Sequence, residues 1–105
     1  MIRAEFFRGE KGLLGFRVSG HAEYADYGED IVCAAVTSAI QLTANGITEV
    51  INAPCELYTG QNEIMLKLSD CSNRAAVDFL SALQIHLSAL AESYPDNICL
   101  EFSEV

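Results

Sequence analysis

The sequence predicts an α/β domain of the α+β type: two helices packed on one face of a mostly antiparallel five-stranded sheet, in the order ββαββαβ. Three observations lead there. Five short stretches alternate apolar and polar residues with the period of a strand. Two long stretches repeat apolar residues with the period of a helix. The 105 residues, 50% of them hydrophobic, fit a single domain over residues 1–105 with one core.

The elements follow in order. Ile2, Ala4 and Phe6 alternate with Arg3 and Glu5, which reads as a strand. Gly9-Glu10-Lys11-Gly12 is a turn. Leu14, Phe16 and Val18 alternate with Gly15 and Arg17, completing an antiparallel hairpin. A polar loop over residues 22–29 follows. The first helix is expected over about 31–52, with Asp30 as its N-cap and Val32, Val36, Ala39, Thr43, Ile47 and Val50 on one face. Ile31, Ala35, Leu42 and Ile51 widen that face, so the helix should be buried on most sides, by the second helix or by another subunit. Gly46 inside it costs about 1 kcal/mol relative to Ala, which points to close packing or a bend. Pro54 closes the region. Residues 55–59 and 63–68 read as a second hairpin around Gly60-Gln61-Asn62, with Ile64, Leu66 and Leu68 inward. Residues 69–73 offer several caps for the second helix, whose face is Ala76, Leu80, Leu83, Leu87, Leu90 and Tyr94. Pro95 stops it. Ile98, Leu100 and Phe102 make the last strand.

Composition narrows the function. The net charge is −9, with six basic residues, which excludes direct nucleic-acid binding through clustered Lys and Arg and favours basic partners. No residue from 31 to 48 is charged. However, Thr37, Ser38, Gln41, Thr43, Asn45 and Gly46 make that run too polar for a membrane span. The N-terminus lacks an apolar segment behind a basic one, so a cytoplasmic protein is expected. Cys33, Cys55, Cys71 and Cys99 form no C-x-x-C pair and no zinc spacing, so free thiols and no metal or other cofactor are expected.

The chemistry concentrates between residues 19 and 36. Ser19-Gly20-His21 closes the second strand. The loop bordered by Gly20 and Gly28 carries Tyr24, Tyr27 and three carboxylates. Gly28-Glu29-Asp30-Ile31-Val32-Cys33-Ala34-Ala35 opens the helix. The thiolate is the reactive form of Cys, and its formation is favoured at a helix N-terminus and beside an imidazole. Cys33 in the first helical turn and His21 at a strand end would provide both. A Cys in an apolar run is also at home as a small core hydrophobe, and on spacing alone both readings stand. Cys71, near the second helix start, is a rival nucleophile without a comparable His. His86 reads as a partly buried surface residue of that helix.

Gly20-His21-Ala22, a loop, then Gly28-Glu29-Asp30-Ile31-Val32-Cys33-Ala34-Ala35 resembles the signature of the ribosomal-processing cysteine proteases (the Prp, or YsxB-like, family). The resemblance extends over nearly the whole chain in length and element order. It implies a catalytic dyad of His21 and Cys33, with Asp30, Gly20 and Gly28 supporting. It also implies an endopeptidase that removes a basic N-terminal extension from a large-subunit ribosomal protein, number twenty-seven. Thr37 stands where family members often have Ser, and the hydroxyl is kept. In this reading Tyr24 and Tyr27 grip the substrate from a mobile lid, and backbone N–H groups at the helix start, that of Cys33 among them, hold the oxyanion. His21 and Cys33 should then lie at the same end of the sheet, and the chain should form a two-fold homodimer. Two other classes fit the composition: a non-catalytic acidic dimer that binds a basic ribosomal protein, and another thiol chemistry such as thioester hydrolysis.

Overall fold

The computed structural model describes residues 1–20 and 27–105, with side chains in the first helix from Ile31 onward. The elements are β1 (Ile2–Gly9), β2 (Gly12–Ser19), α1 (Tyr27–Asn45) with a π-helical continuation (Gly46–Ile51), β3 (Cys55–Gly60), β4 (Glu63–Leu68), α2 (Arg74–Ser93) and β5 (Ile98–Glu104). The ββαββαβ order and the fold class are those expected. The sheet is mixed: its order is β3-β4-β2-β1-β5, with β1 and β5 parallel and the other three pairings antiparallel.

Strand directions explain why both helices lie on one face. β2 and β3 run the same way, so α1 is the crossover between two parallel strands with β4 between them. β4 and β5 also run the same way, and α2 is their crossover. Such crossovers are right-handed. The second starts in the opposite direction and moves the opposite way along the sheet, so handedness puts both helices on the same side.

That side holds the core. Ile2, Ala4, Phe6, Phe16, Val18, Leu66, Leu68 and Ile98 from the sheet meet Val32, Val36, Ile40, Ile47, Ala76, Val77, Leu80, Leu83 and Leu87 from the helices. The other face carries charge. Arg17 bridges Glu5 (3.6 Å) and Glu63 (3.0 Å), and Arg3 bonds Glu101 (3.1 Å). Pairs this exposed contribute little stability each, but they make that face a solvated one.

The first helix differs from expectation in three ways. It begins at Tyr27, so residues 27–29 are helical and Asp30 is its fourth residue, not its N-cap. Within the single chain α2 does not bury it on most sides: Leu42 is 70% exposed and Val50 82% exposed, which leaves cover by another subunit as the other half of that expectation. Val50 leaves the buried face because each π-helical residue turns through a smaller angle than an α-helical one, so the stripe drifts after Gly46. Gly46 itself meets the expectation of close packing, since a Cβ there would lie 2.8 Å from the Phe79 ring. In α2 the face is as read except that Tyr94, partly exposed, is the C-cap, donating its N–H to Leu90.

Among the candidate caps of α2, Asn73 is used: its side chain accepts from the Ala76 N–H at 3.1 Å. Asp70 instead folds back on Ser72, whose hydroxyl and N–H hold its carboxyl below the usual range. Asn73→Ala should therefore cost about 1 kcal/mol and Ser69→Ala less than roughly 0.5 kcal/mol; equal urea midpoints for the two variants would contradict the assignment. Gly15 faces a tighter limit, because a Cβ there would fall 2.0 Å from the Leu66 carbonyl oxygen. Gly15→Ala should lower stability by roughly 1–3 kcal/mol, read as a lower melting temperature.

Candidate active site

β2 ends at Ser19, which pairs with Glu63 at the start of β4. The next residue, Gly20, donates its N–H to the Asn62 carbonyl in the β3–β4 turn (3.2 Å). Its φ of +91° and a gap of 2.3 Å between a virtual Cβ and the Met1 carbonyl oxygen leave room only for glycine. The chain is thus pinned beside the β3–β4 turn immediately before residue 21.

Cys33 faces the same turn. It is half-buried, packs against the core edge and is not in a disulfide. It opens onto a groove of about 370 Å³ between α1 and the second hairpin, lined by Thr37 and Gln41 from α1 and by Thr59, Asn62 and Ile64. Cys33, Thr37 and Gln41 lie one turn apart, so they form one polar stripe along the helix. Glu63 is the charged residue of the lining, and Arg17 holds its carboxylate on the opposite sheet face. The groove is otherwise neutral and largely apolar, suited to an extended peptide.

Cys33 is the seventh residue of α1 rather than a first-turn residue. At that depth an N–H bonds the carbonyl four residues back, so the Cys33 amide is not available as an oxyanion donor. Among the described residues the uncommitted amides are those of residues 27–29. Asp30 lies one turn before Cys33, and Gly28 is in the first turn instead of bordering a loop. Residues 21–26, which include His21 and Tyr24, and the side chains of Tyr27, Glu29 and Asp30 lie outside the described residues, so the dyad distance, the lid and the tyrosine contacts do as well.

The other thiols stand apart. Cys71 Sγ is 3.6 Å from the Gly12 carbonyl, by the β1–β2 turn at the far end of β2. Burial pushes the Cys55 thiol up. His86 lines a separate groove between the helices. Of the groove residues that sequence reasoning missed, Gln41 lies two turns along Cys33's own helix, while Thr59, Asn62 and Ile64 come from the second hairpin, which only the tertiary fold brings beside Cys33.

A family model described as cysteine protease Prp matches residues 1–99. The ribosomal processing cysteine protease Prp of Bacillus subtilis (strain 168) is 28% identical, over 93% of this chain and 94% of that protein. The Prp of Mycoplasma genitalium is 35% identical, over 77% and 80%. The fold is that of an essential ribosomal processing protease Prp from S. aureus crystallised with a substrate peptide, at a TM-score of 0.90 and 22% identity, covering 98% of this chain and all of that one. A Streptococcus mutans protein, SMU.848, superposes with a TM-score of 0.87 at 24% identity, over 100% and 96%. A half-buried cysteine at the mouth of a peptide-sized groove and a family match over residues 1–99 lead to one conclusion: this chain belongs to the cysteine protease Prp family.

Proposed function

We propose that the chain is a cytoplasmic cysteine endopeptidase that removes the basic N-terminal extension of large-subunit ribosomal protein number twenty-seven and thereby supports ribosome assembly. The observation that carries this reading is Cys33, presented by a rigid helix to an open groove in a chain of this family. The names of the relatives, ribosomal processing proteases, supply the substrate class.

In the proposed reaction the Cys33 thiolate attacks the scissile carbonyl carbon after His21 takes the thiol proton. The tetrahedral intermediate collapses, and His21 gives the proton to the leaving amine. Water, deprotonated by His21, then hydrolyses the thioester and frees the thiol. Gly20 supports the position of His21 by holding the chain against Asn62. The free amides of the first turn stand roughly 6–9 Å along the helix axis from Cys33, and their dipole favours negative charge on that side. The net charge of −9 favours the approach of a basic extension, and Tyr24 and Tyr27 are the proposed substrate contacts.

The test is mass spectrometry of a synthetic extension peptide before and after incubation. Cys33→Ala should abolish cleavage and leave peptide affinity nearly unchanged. His21→Ala should lower kcat/KM by roughly 10²–10⁴. Cys71→Ala should have no effect. Cleavage that survives in Cys33→Ala would defeat the proposal, and binding without any cleavage by the unaltered protein would favour the non-catalytic module.

The same reading takes the chain as a two-fold homodimer. Its support is the apolar groove of about 480 Å³ between α1 and α2, where Leu42 and Phe79 line the walls and Leu42 stands 70% exposed. Sedimentation should give twice the 11.4 kDa chain mass, and Leu42→Glu should shift the population to monomer. A monomer mass independent of concentration would contradict it.

A further inference from the structure

The geometry points to a substrate held as an added strand along the outer edge of β3, an inference that rests on the peptidase reading of Cys33. Among the described residues, β3 ends the sheet on its side and is bonded to β4 alone. One backbone bond sets which of its groups face outward. The Ser69 N–H donates to the Pro54 carbonyl at 3.1 Å, and the same register runs through Cys55↔Leu68 to Gly60↔Glu63. In an antiparallel ladder, bonded pairs alternate with non-bonded ones. Residues 54, 56, 58 and 60 therefore turn their polar backbone groups to β4, and Cys55, Leu57 and Thr59 turn theirs away from the sheet. The bond from Gly20 to Asn62 on the other side of the hairpin has the matching phase. Among the described residues, no backbone bond outside the strands engages Leu57 or Thr59.

Exposed edges of this kind are usually blocked by lysine, proline or a bulge. β3 has no lysine, no internal proline and no register shift against β4. The charge it does carry is Glu56, exposed and of the sign that suits a basic peptide. The decisive feature is continuity. Thr59 and Gly60 end this strand and also wall the Cys33 groove. A peptide paired with Leu57 and Thr59 is led into that groove toward the sulfur. Main-chain pairing supplies affinity, and the Leu57 and Thr59 side chains, level with Leu66 and Ile64 on the helix side, meet alternate substrate side chains.

The test uses the Cys33→Ala protein and a synthetic peptide of the large-subunit protein's extension, N-methylated at one backbone nitrogen at a time. Strand addition predicts a period of two: methylation at alternate positions on one side of the cleaved bond weakens binding roughly 3–10-fold each, and the positions between them change it less than about twofold. On the protein side, Leu57→Pro removes an outward N–H that the β4 ladder does not use. It should raise KM for the unmodified peptide while kcat stays within about twofold of the parent and the urea midpoint of unfolding moves by less than about 0.5 M. Uniform losses, no losses, or no binding of the parent peptide would overturn strand addition. So would a Leu57→Pro protein that cleaves normally but sediments as a smaller species, which would assign the edge to a second copy. Failure of the unaltered protein to cleave the peptide is a separate result and bears on the peptidase reading.

Discussion

A single row of side chains runs across all five strands: Leu57, Leu66, Phe16, Phe6 and Phe102, each paired with the next in register. The middle three are fully buried, while the two end members are about half exposed. Everything else depends on this row staying in phase. A slip of one residue in any pairing would carry a phenylalanine or leucine to the charged face and bring Arg17 or Glu5 under the helices. Burying a large apolar side chain is worth about 1.5–3 kcal/mol, so a slip that moves several of them is strongly disfavoured. The fixed phase then decides which backbone groups β3 shows at its edge and which side chains it turns to α1.

The groove at Cys33 follows from the same arrangement. α1 packs on the sheet through Val32, Val36 and Ile40. That contact sets the rotation of the helix and so aims the stripe of Cys33, Thr37 and Gln41 at the second hairpin. Gly20 and Asn62 join the end of β2 to that hairpin, so one wall of the groove and the attachment point of residue 21 are a single hydrogen-bonded unit. Cys33 on its helix and the chain entering residue 21 from the sheet are thereby referred to one frame.

Much of this was legible in the residues. Alternation marked β1, β2 and β4, which turn one face to the core, while β3 is exposed along nearly its whole length. The mixed pairing was less legible, since the parallel contact of β1 with β5 joins residues 96 positions apart, as in Ile2↔Ile98. The start of α1 was misread for a physical reason: Asp is at home both at an N-cap and within the first turn, so Asp30 could not by itself mark the boundary. Val50 was misplaced because a constant helical period was carried through a π-helical segment. Cys33 could be named from sequence, whereas Thr59, Asn62 and Ile64 could not, because nothing local records which hairpin a helix will cover.

The parallel pair has a consequence for how the molecule comes into being. β1 is the first element of the chain and β5 the last, yet they are neighbours, tied by the Ile2 N–H on the Asn97 carbonyl and the Val105 N–H on the Arg8 carbonyl. During synthesis the β1–β2 hairpin emerges early, but one flank of β1 stays bare until β5 has also been made. Contacts of such long sequence separation slow folding and prolong the exposure of unpaired edges. Phe6 therefore gains its Phe102 neighbour, with ring centroids 6.0 Å apart, only after β5 has emerged.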